Sequence, residues 1–246
     1  MRVGQKINRR KDMYTFDTRV SYSKIDRTGK VPMYEIMNYL QDCSTFQSEE
    51  LHAGIDFLNN KNKAWVIIAY KIKFIKPLSL GQEITVGTAP VDFGKVFASR
   101  NYCIKEKDGE YLIKADAIWM MIDTQTRKAM RIQPEDYAVY TAEEGFDDVK
   151  AGRRIKLQGQ GVAMPEFKVL RTYVDHIGHM NNANYLRIAE EYLPEGFQCS
   201  ELEIVYSKEA LQGQTVTPYM YNEEDGIGLV FENQQGELLT KMKFIK

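Results

Sequence analysis

Cysteine is scarce in this chain. Cys43, Cys103 and Cys199 are the only three, far apart and odd in number. They leave no room for a disulfide framework or a zinc-type spacing, which points to a reducing compartment, taken as the cytoplasm. Long apolar runs are missing too. The longest, residues 64–70, falls well short of the roughly 20 residues that span a bilayer. The first residues lack the apolar core of a signal peptide, so no membrane role is expected. No charge sign dominates: 33 Lys and Arg face 34 Asp and Glu, for a formal net charge of −1. With no basic tail and no interleaving of basic and aromatic residues, nucleic acid is not an expected partner. What is present is an ordinary globular balance, 43% hydrophobic and 27% charged, enough for one large or two modest cores.

The chain repeats itself. Asp26, Gly29 and Lys30 align with Asp175, Gly178 and His179 at a constant offset. Behind each set comes an apolar pattern of helical period: Met33, Ile36, Met37 and Leu40 in the first copy, and Tyr185, Leu186, Ile188, Ala189, Tyr192 and Leu193 in the second. Pro32 suits the first turn of one helix, Asn181 or Asn182 can cap the other, and Pro194 and Gly196 are expected to stop it. Downstream, Phe74, Pro77 and Gly81 align with Tyr206, Glu209 and Gly213. Period-two stretches follow at 96–105, 112–123 and 228–232, separated by turn signals such as Asp108–Gly109 and Gln235–Gly236. Each copy therefore reads as a strand, a turn, one helix and an antiparallel meander, an α+β arrangement with a sheet curled around a helix. The expected boundaries are a first unit at 1–140, a polar connector at 141–164 and a second unit at 165–246.

The second copy holds the chemistry-bearing residues. Asp175, His179, Asn181 and Asn182 sit in a turn before a helix, where backbone N–H groups lack partners. Histidine has an unperturbed pKa of about 6.5 and suits a general base near neutrality. Each residue alone has a plainer use: Asp175 as a turn brace, either asparagine as a helix cap, Glu209 as a solvated acid. His176 lies beside His179, but the only other histidine is His52 and no ligand pair completes a metal site. Neither metal nor cofactor is expected. Cys199 has no basic neighbour and reads as a structural thiol.

Asp175, Gly178, His179, Asn181, Asn182 and Tyr185 together resemble the motif of hot-dog fold thioesterases. Two such units, with the full motif only in the second, look like the acyl-ACP thioesterase family of plants and bacteria. The first-half segments around Tyr39–Asp42, Trp65–Val66 and Ile118–Lys128 share that likeness. The resemblance implies a tandem (double) hot-dog fold, each sheet wrapped around one long helix, hydrolysis of fatty acyl-ACP, and ACP as partner. It carries the acid onto Asp175, the histidine onto His179 and a glutamate onto Glu209. Ile177 stands where the family has asparagine, and Ala210 where it has cysteine, so a cysteine nucleophile at that position is excluded.

On this reading His179 activates water, with Glu209 assisting or serving as a second base if burial raises its pKa. Asp175 orients the histidine or the amides, and Asn181 and Asn182 donate to the thioester oxygen. Direct attack by a carboxylate is an alternative. In the first copy Lys30 and Pro77 replace His179 and Glu209, so that unit is expected to bind substrate and lack the catalytic set. Its Met33, Met37 and Trp119 are candidate lining for an acyl tunnel. Lys71, Lys73, Lys76, Arg153, Arg154 and Lys156 are candidates for meeting an acidic carrier. A homodimer is compatible with the sequence. An acyl-CoA thioesterase, a non-catalytic acyl-thioester binder and a dehydratase are the competing readings.

Overall fold

The computed structural model describes residues 13–107, 109–175 and 178–246. The N-terminal segment read for a signal peptide, Asp108 of one turn signal, and His176 and Ile177 lie outside the described residues. The first half contains β1 (Tyr14–Arg19), α1 (Met33–Glu50), α2 (Ile55–Asn59), β2 (Lys63–Phe74), β3 (Glu83–Phe93), β4 (Phe97–Glu106), β5 (Tyr111–Asp123) and α3 (Pro134–Tyr137). The second contains β6 (Val162–Ala163), β7 (Phe167–Lys168), α4 (Asn182–Glu190), β8 (Glu201–Tyr206), β9 (Thr215–Glu223), β10 (Gly226–Asn233) and β11 (Leu238–Ile245).

All these strands join one antiparallel sheet in the order β1-β3-β4-β5-β2-β8-β11-β10-β9-β6, with β7 also on β9. The order reads alike from both ends: β2 and β8 meet in the middle, each flanked by the last strand of its own half. The internal repeat is thus a repeat of topology, the double hot-dog that the sequence resembles. The central pairing sets Tyr70 opposite Ile204 and Ile72 opposite Leu202, all buried. On the other face Lys71 stands opposite Glu203 and Lys73 opposite Glu201, pairs of opposite charge that favour this register.

Helix α1 turns Ile36, Met37, Leu40 and Cys43 into the core, as a 3.6-residue period requires. Burying a leucine such as Leu40 fully contributes about 1.5–3 kcal/mol. Pro32 is the N-cap of α1, one position earlier than its fixed φ suggested, and no side chain of its own segment caps that end. Helix α4 is shorter than α1, nine residues, and ends at Glu190, ahead of Pro194 and Gly196. It presents Ala183, Tyr185, Leu186, Ile188 and Ala189 to the same core. Helices α1 and α4 pack on each other, and Glu190 Oε1 accepts the Met33 N–H at 2.6 Å.

The polar segment 141–164 lies along the sheet. Asn101 Oδ1 accepts the Phe146 N–H at 2.7 Å, and Asp116 Oδ2 accepts the Ala151 N–H at 2.8 Å. Strand β6 falls inside this segment. No described helix is long and apolar enough to cross a membrane.

Candidate active site

Both copies of the aspartate turn fold the same way. In the second, the Gly178 N–H donates to Asp175 O at 3.1 Å, the Asp175 N–H to His179 O at 2.7 Å, and the His179 N–H to Asp175 Oδ1 at 3.1 Å. In the first, Gly29 donates to Asp26 O at 3.0 Å, Asp26 to Lys30 O at 2.8 Å, and Lys30 to Asp26 Oδ1 at 3.2 Å. Gly178 and Gly29 have φ of +89° and +77°, a region that strains any residue with a Cβ. Because Asp26 braces a turn that has no histidine, bracing is the part of Asp175's work that both copies share.

Each turn is bridged to the loop after its central strand. Lys30 pairs with Ser79, and His179 with Leu211. The Met180 N–H donates to Ala210 O at 2.9 Å, as the Val31 N–H does to Leu78 O at 3.1 Å. The Ala210 N–H donates to the Tyr185 hydroxyl at 3.0 Å, so the motif tyrosine holds this loop against α4. In this way Glu209 is delivered to His179, with Oε2 3.0 Å from Nε2. The matching positions of the first copy, Lys30 and Pro77, hold no such pair, and Lys30 Nζ donates to the Ser79 hydroxyl at 2.8 Å.

His179 is 6% exposed, whereas the Glu209 side chain is 41% exposed. The burial expected of Glu209 is therefore absent. Burial holds the His179 pKa below its ordinary value; Arg127 adds to that depression, while Glu209 and Asp175 oppose it. The imidazole is thus neutral near pH 7. Asn181 is the N-cap of α4, its Oδ1 accepting the Ala183 N–H at 2.9 Å. Asn182 opens the helix, and its side-chain amide has no hydrogen-bond partner among the described residues.

A residue that sequence reasoning passed over completes the cluster. Arg127 comes from the first half, just after β5, and its Nη2 lies 2.5 Å from Glu209 Oε2 and 3.3 Å from His179 Nδ1. The hints in the sequence were its place in the 118–128 segment that shares the family likeness and an aspartate-headed turn. Asp123 Oδ1 accepts the Gln125 and Thr126 N–H groups at 2.9 and 2.7 Å, and Arg127 takes φ of +61°.

These groups open on a cavity of about 860 Å³ running between α1 and strands β2, β4 and β5. Asp175, His179, Asn181, Asn182, Glu209 and Arg127 all line it, as does Trp119. Met33 and Met37 do not. Met37 is fully buried and its Sδ receives the Tyr206 hydroxyl at 3.6 Å, while Met33 packs at the start of α1. The physical reason is helical phase. The face of α1 carrying Met33, Met37 and Leu40 enters the core, and the neighbouring face, with Gln41, Ser44 and Ser48, meets the cavity.

Of the expected basic patch, three lysines are already engaged. Lys71 pairs with Glu201 at 3.0 Å and Glu203 at 3.3 Å, Lys73 with Asp148 at 3.3 Å, and Lys76 with Glu110 at 2.9 Å. Arg153 stacks its guanidinium 4.4 Å from the centre of the Phe97 ring, beside Arg154. Cys199 is no nucleophile: burial pushes its thiol up to about 12. Among the described residues no group of three or more His, Cys, Asp or Glu side chains is arranged to hold a metal ion.

One continuous sheet made of two tandem units, each with its own helix, and one histidine–glutamate contact on a cavity shared by both halves define a double hot-dog protein. The chain belongs to the acyl-ACP thioesterase family: the model of the acyl-ACP thioesterase N-terminal domain matches residues 11–140, and that of the C-terminal domain matches 158–244. A curated relative, the chloroplastic acyl-[acyl-carrier-protein] hydrolase FATB3 of Cuphea viscosissima, is 27% identical over 199 residues, 72% of this chain. The chain spans about half the length of that relative, 46%. An acyl-ACP thioesterase from Bacteroides thetaiotaomicron shares the fold with a TM-score of 0.84 at 22% identity, covering 94% of this chain and 96% of its own. The 12:0-ACP thioesterase of Umbellularia californica does so with a TM-score of 0.79 at 15% identity, covering 94% and 96%.

Proposed function

We propose that this protein hydrolyses fatty acyl-ACP to free fatty acid and ACP, with water as nucleophile and Glu209 as the group that takes its proton. The observation that carries this reading is the Glu209–His179 contact at 3.0 Å at the wall of a cavity lined on its far side by α1 and the first-half strands. His179 Nε2 lies 3.0 Å from the carboxylate, so the histidine's part on this reading is to steady Glu209 from beside it. The contacts of Glu209 with Arg127 and His179 both use Oε2, which leaves Oε1 for a water. The roles are thereby exchanged from the sequence-based expectation, in which His179 activated water with help from Glu209.

Proton transfer from water to Oε1 accompanies bond formation between its oxygen and the thioester carbon. The oxyanion that develops meets the Asn182 amide and the N–H groups opening α4, where a helix end favours negative charge. Collapse breaks the carbon–sulfur bond, and the proton held by Glu209 passes to the departing thiolate. Asp175 keeps the turn in place, as Asp26 does in the other copy, and Asn181 caps the helix. Trp119 forms part of the wall for the acyl chain. The reaction belongs to fatty acid biosynthesis in the cytoplasm and proceeds without metal or cofactor.

The test is steady-state turnover on acyl-ACPs of graded chain length beside the matching acyl-CoAs. Release of free thiol from acyl-ACP at higher kcat/KM than from acyl-CoA is expected, and no release from any acyl-ACP would sink the reading. For the carrier surface, Arg153 and Arg154 replace the engaged lysines as the cationic contact. Reversing both (R153E/R154E) should raise KM for acyl-ACP roughly tenfold, about 1.4 kcal/mol, and leave acyl-CoA unchanged. An equal loss on both carriers would remove that surface from carrier recognition.

A further inference from the structure

We propose that Arg127, supplied by the N-terminal half, is a positioning residue of the hydrolytic site: it sets the tautomer of His179 and aims Glu209 at the substrate. The proposal rests on the reading of Glu209 as base.

A guanidinium has donors and no acceptor and stays protonated at all relevant pH. At 3.3 Å from His179 Nδ1 it brings only protons and positive charge, which disfavours a proton on Nδ1. The single proton of the neutral ring is then favoured on Nε2, the nitrogen 3.0 Å from Glu209 Oε2. The same Nη2 donates to Oε2 at 2.5 Å. One carboxylate oxygen accepts from Arg127 and lies beside His179 Nε2, and no contact engages the other oxygen among the described residues.

Protonating Nδ1 would set two donors against each other. The groups facing His179 are Glu209 from the loop after β8, Arg127 from the turn after β5 and Asp175 from its own turn. The two carboxylates favour an imidazolium, and Arg127 with burial opposes it. Burial first, and Arg127 after it, keep the histidine neutral against two acids.

The local backbone shows how firmly this arginine is placed. It adopts φ of +61°, uncommon for a residue with a side chain of this size. The Arg127 N–H donates to Asp123 O at 2.8 Å, and the Asp123 N–H to Lys128 O at 3.0 Å, closing the turn at the end of a 13-residue strand. The first unit therefore does more than bind substrate, because the acid–base pair of the second is aligned by its residue. Neither half holds the whole site.

The experiment combines imidazole 15N NMR with kinetics on the full chain. Only three histidines are present, so the His179 signals are tractable. In the wild type, Nε2 should be protonated and Nδ1 bare at pH 7. In Arg127→Met the His179 pKa should rise, the acidic limb of the kcat/KM profile should shift to higher pH with it, and kcat should fall about 10–100-fold, the cost of misaligned reacting groups. Arg127→Lys, which retains a cationic donor, should restore part of the rate and move the limb back. Thermal melts check that both variants fold, and the lysine variant serves alone if the methionine variant does not. A wild-type His179 protonated on Nδ1, or a pKa and limb unmoved in a folded Arg127 variant, overturns the proposal. Loss of the base reading shows separately, as a Glu209→Gln protein that still turns over, and leaves the NMR result to judge the tautomer.

Discussion

Glu209→Gln is expected to lower kcat by about 10²–10⁴-fold, the range that a positioned general base contributes, while stability changes little. The amide matches the carboxylate in shape. Its oxygen still accepts from Arg127 and lies beside His179 Nε2, so the three-residue cluster stays together, but it cannot take a proton from water. The side chain is 41% exposed, and half-exposed pairs of this sort contribute only about 0–1 kcal/mol to stability, so a large rate loss cannot be blamed on unfolding. KM should stay within a few-fold, because the cavity wall is untouched. His179→Ala should also lose most activity, since the ring 3.0 Å from Glu209 is gone. In the wild type the acidic limb should lie below about pH 6.5, because burial lowers the His179 pKa from that value. A Glu209→Gln enzyme retaining more than a tenth of wild-type turnover would return the base role to His179.

Glu190→Gln is expected to raise stability at high pH and to flatten its pH dependence. The carboxyl at the end of α4 receives the Met33 N–H at 2.6 Å, so it serves as the missing cap of α1. Burial pushes its pKa from 4.5 up to about 8, against the lowering effect of the Met33 and Tyr34 N–H groups. A carboxyl whose pKa is raised by folding stabilises fully below its unfolded value of about 4.5, and that stabilisation is lost as pH rises through about 8. A tenfold change in proton affinity between the folded and unfolded chain is worth about 1.4 kcal/mol, so roughly 2–4 kcal/mol should be at stake after allowance for partial exposure. Glutamine accepts the same N–H and carries no charge. Urea unfolding at pH 5 should then give similar stabilities for the two proteins, and at pH 9 the variant should be the more stable. Parallel pH profiles would show that Glu190 titrates as an ordinary acid.

The parts legible in the sequence were those governed by local rules. A repeated aspartate–glycine turn, helical periods behind it and period-two strands before and after are enough to imply two units of one topology. The motif around His179 and the aligned Glu209 point to the copy in which the histidine–glutamate contact forms. What could not be read were contacts between elements far apart in the chain. Arg127 reaches His179 across the junction of the halves, and nothing in residues 123–128 says that the turn faces a histidine in the other unit. Lys71, Lys73 and Lys76 read as free cations because their acid partners lie on β8, in the connector and in the turn between β4 and β5. Met33 and Met37 were placed on the apolar face of α1, but a period alone does not say whether that face meets the core or the cavity.

The pairing of β2 with β8 has a further consequence. When a sheet and the residues that align its active site are contributed by separate molecules, the fraction of working sites falls on dilution by mass action. Here both edges of the seam belong to one polypeptide, so Arg127 meets Glu209 at a local concentration fixed by the chain. Specific activity tied to this contact should hold constant from micromolar to picomolar protein.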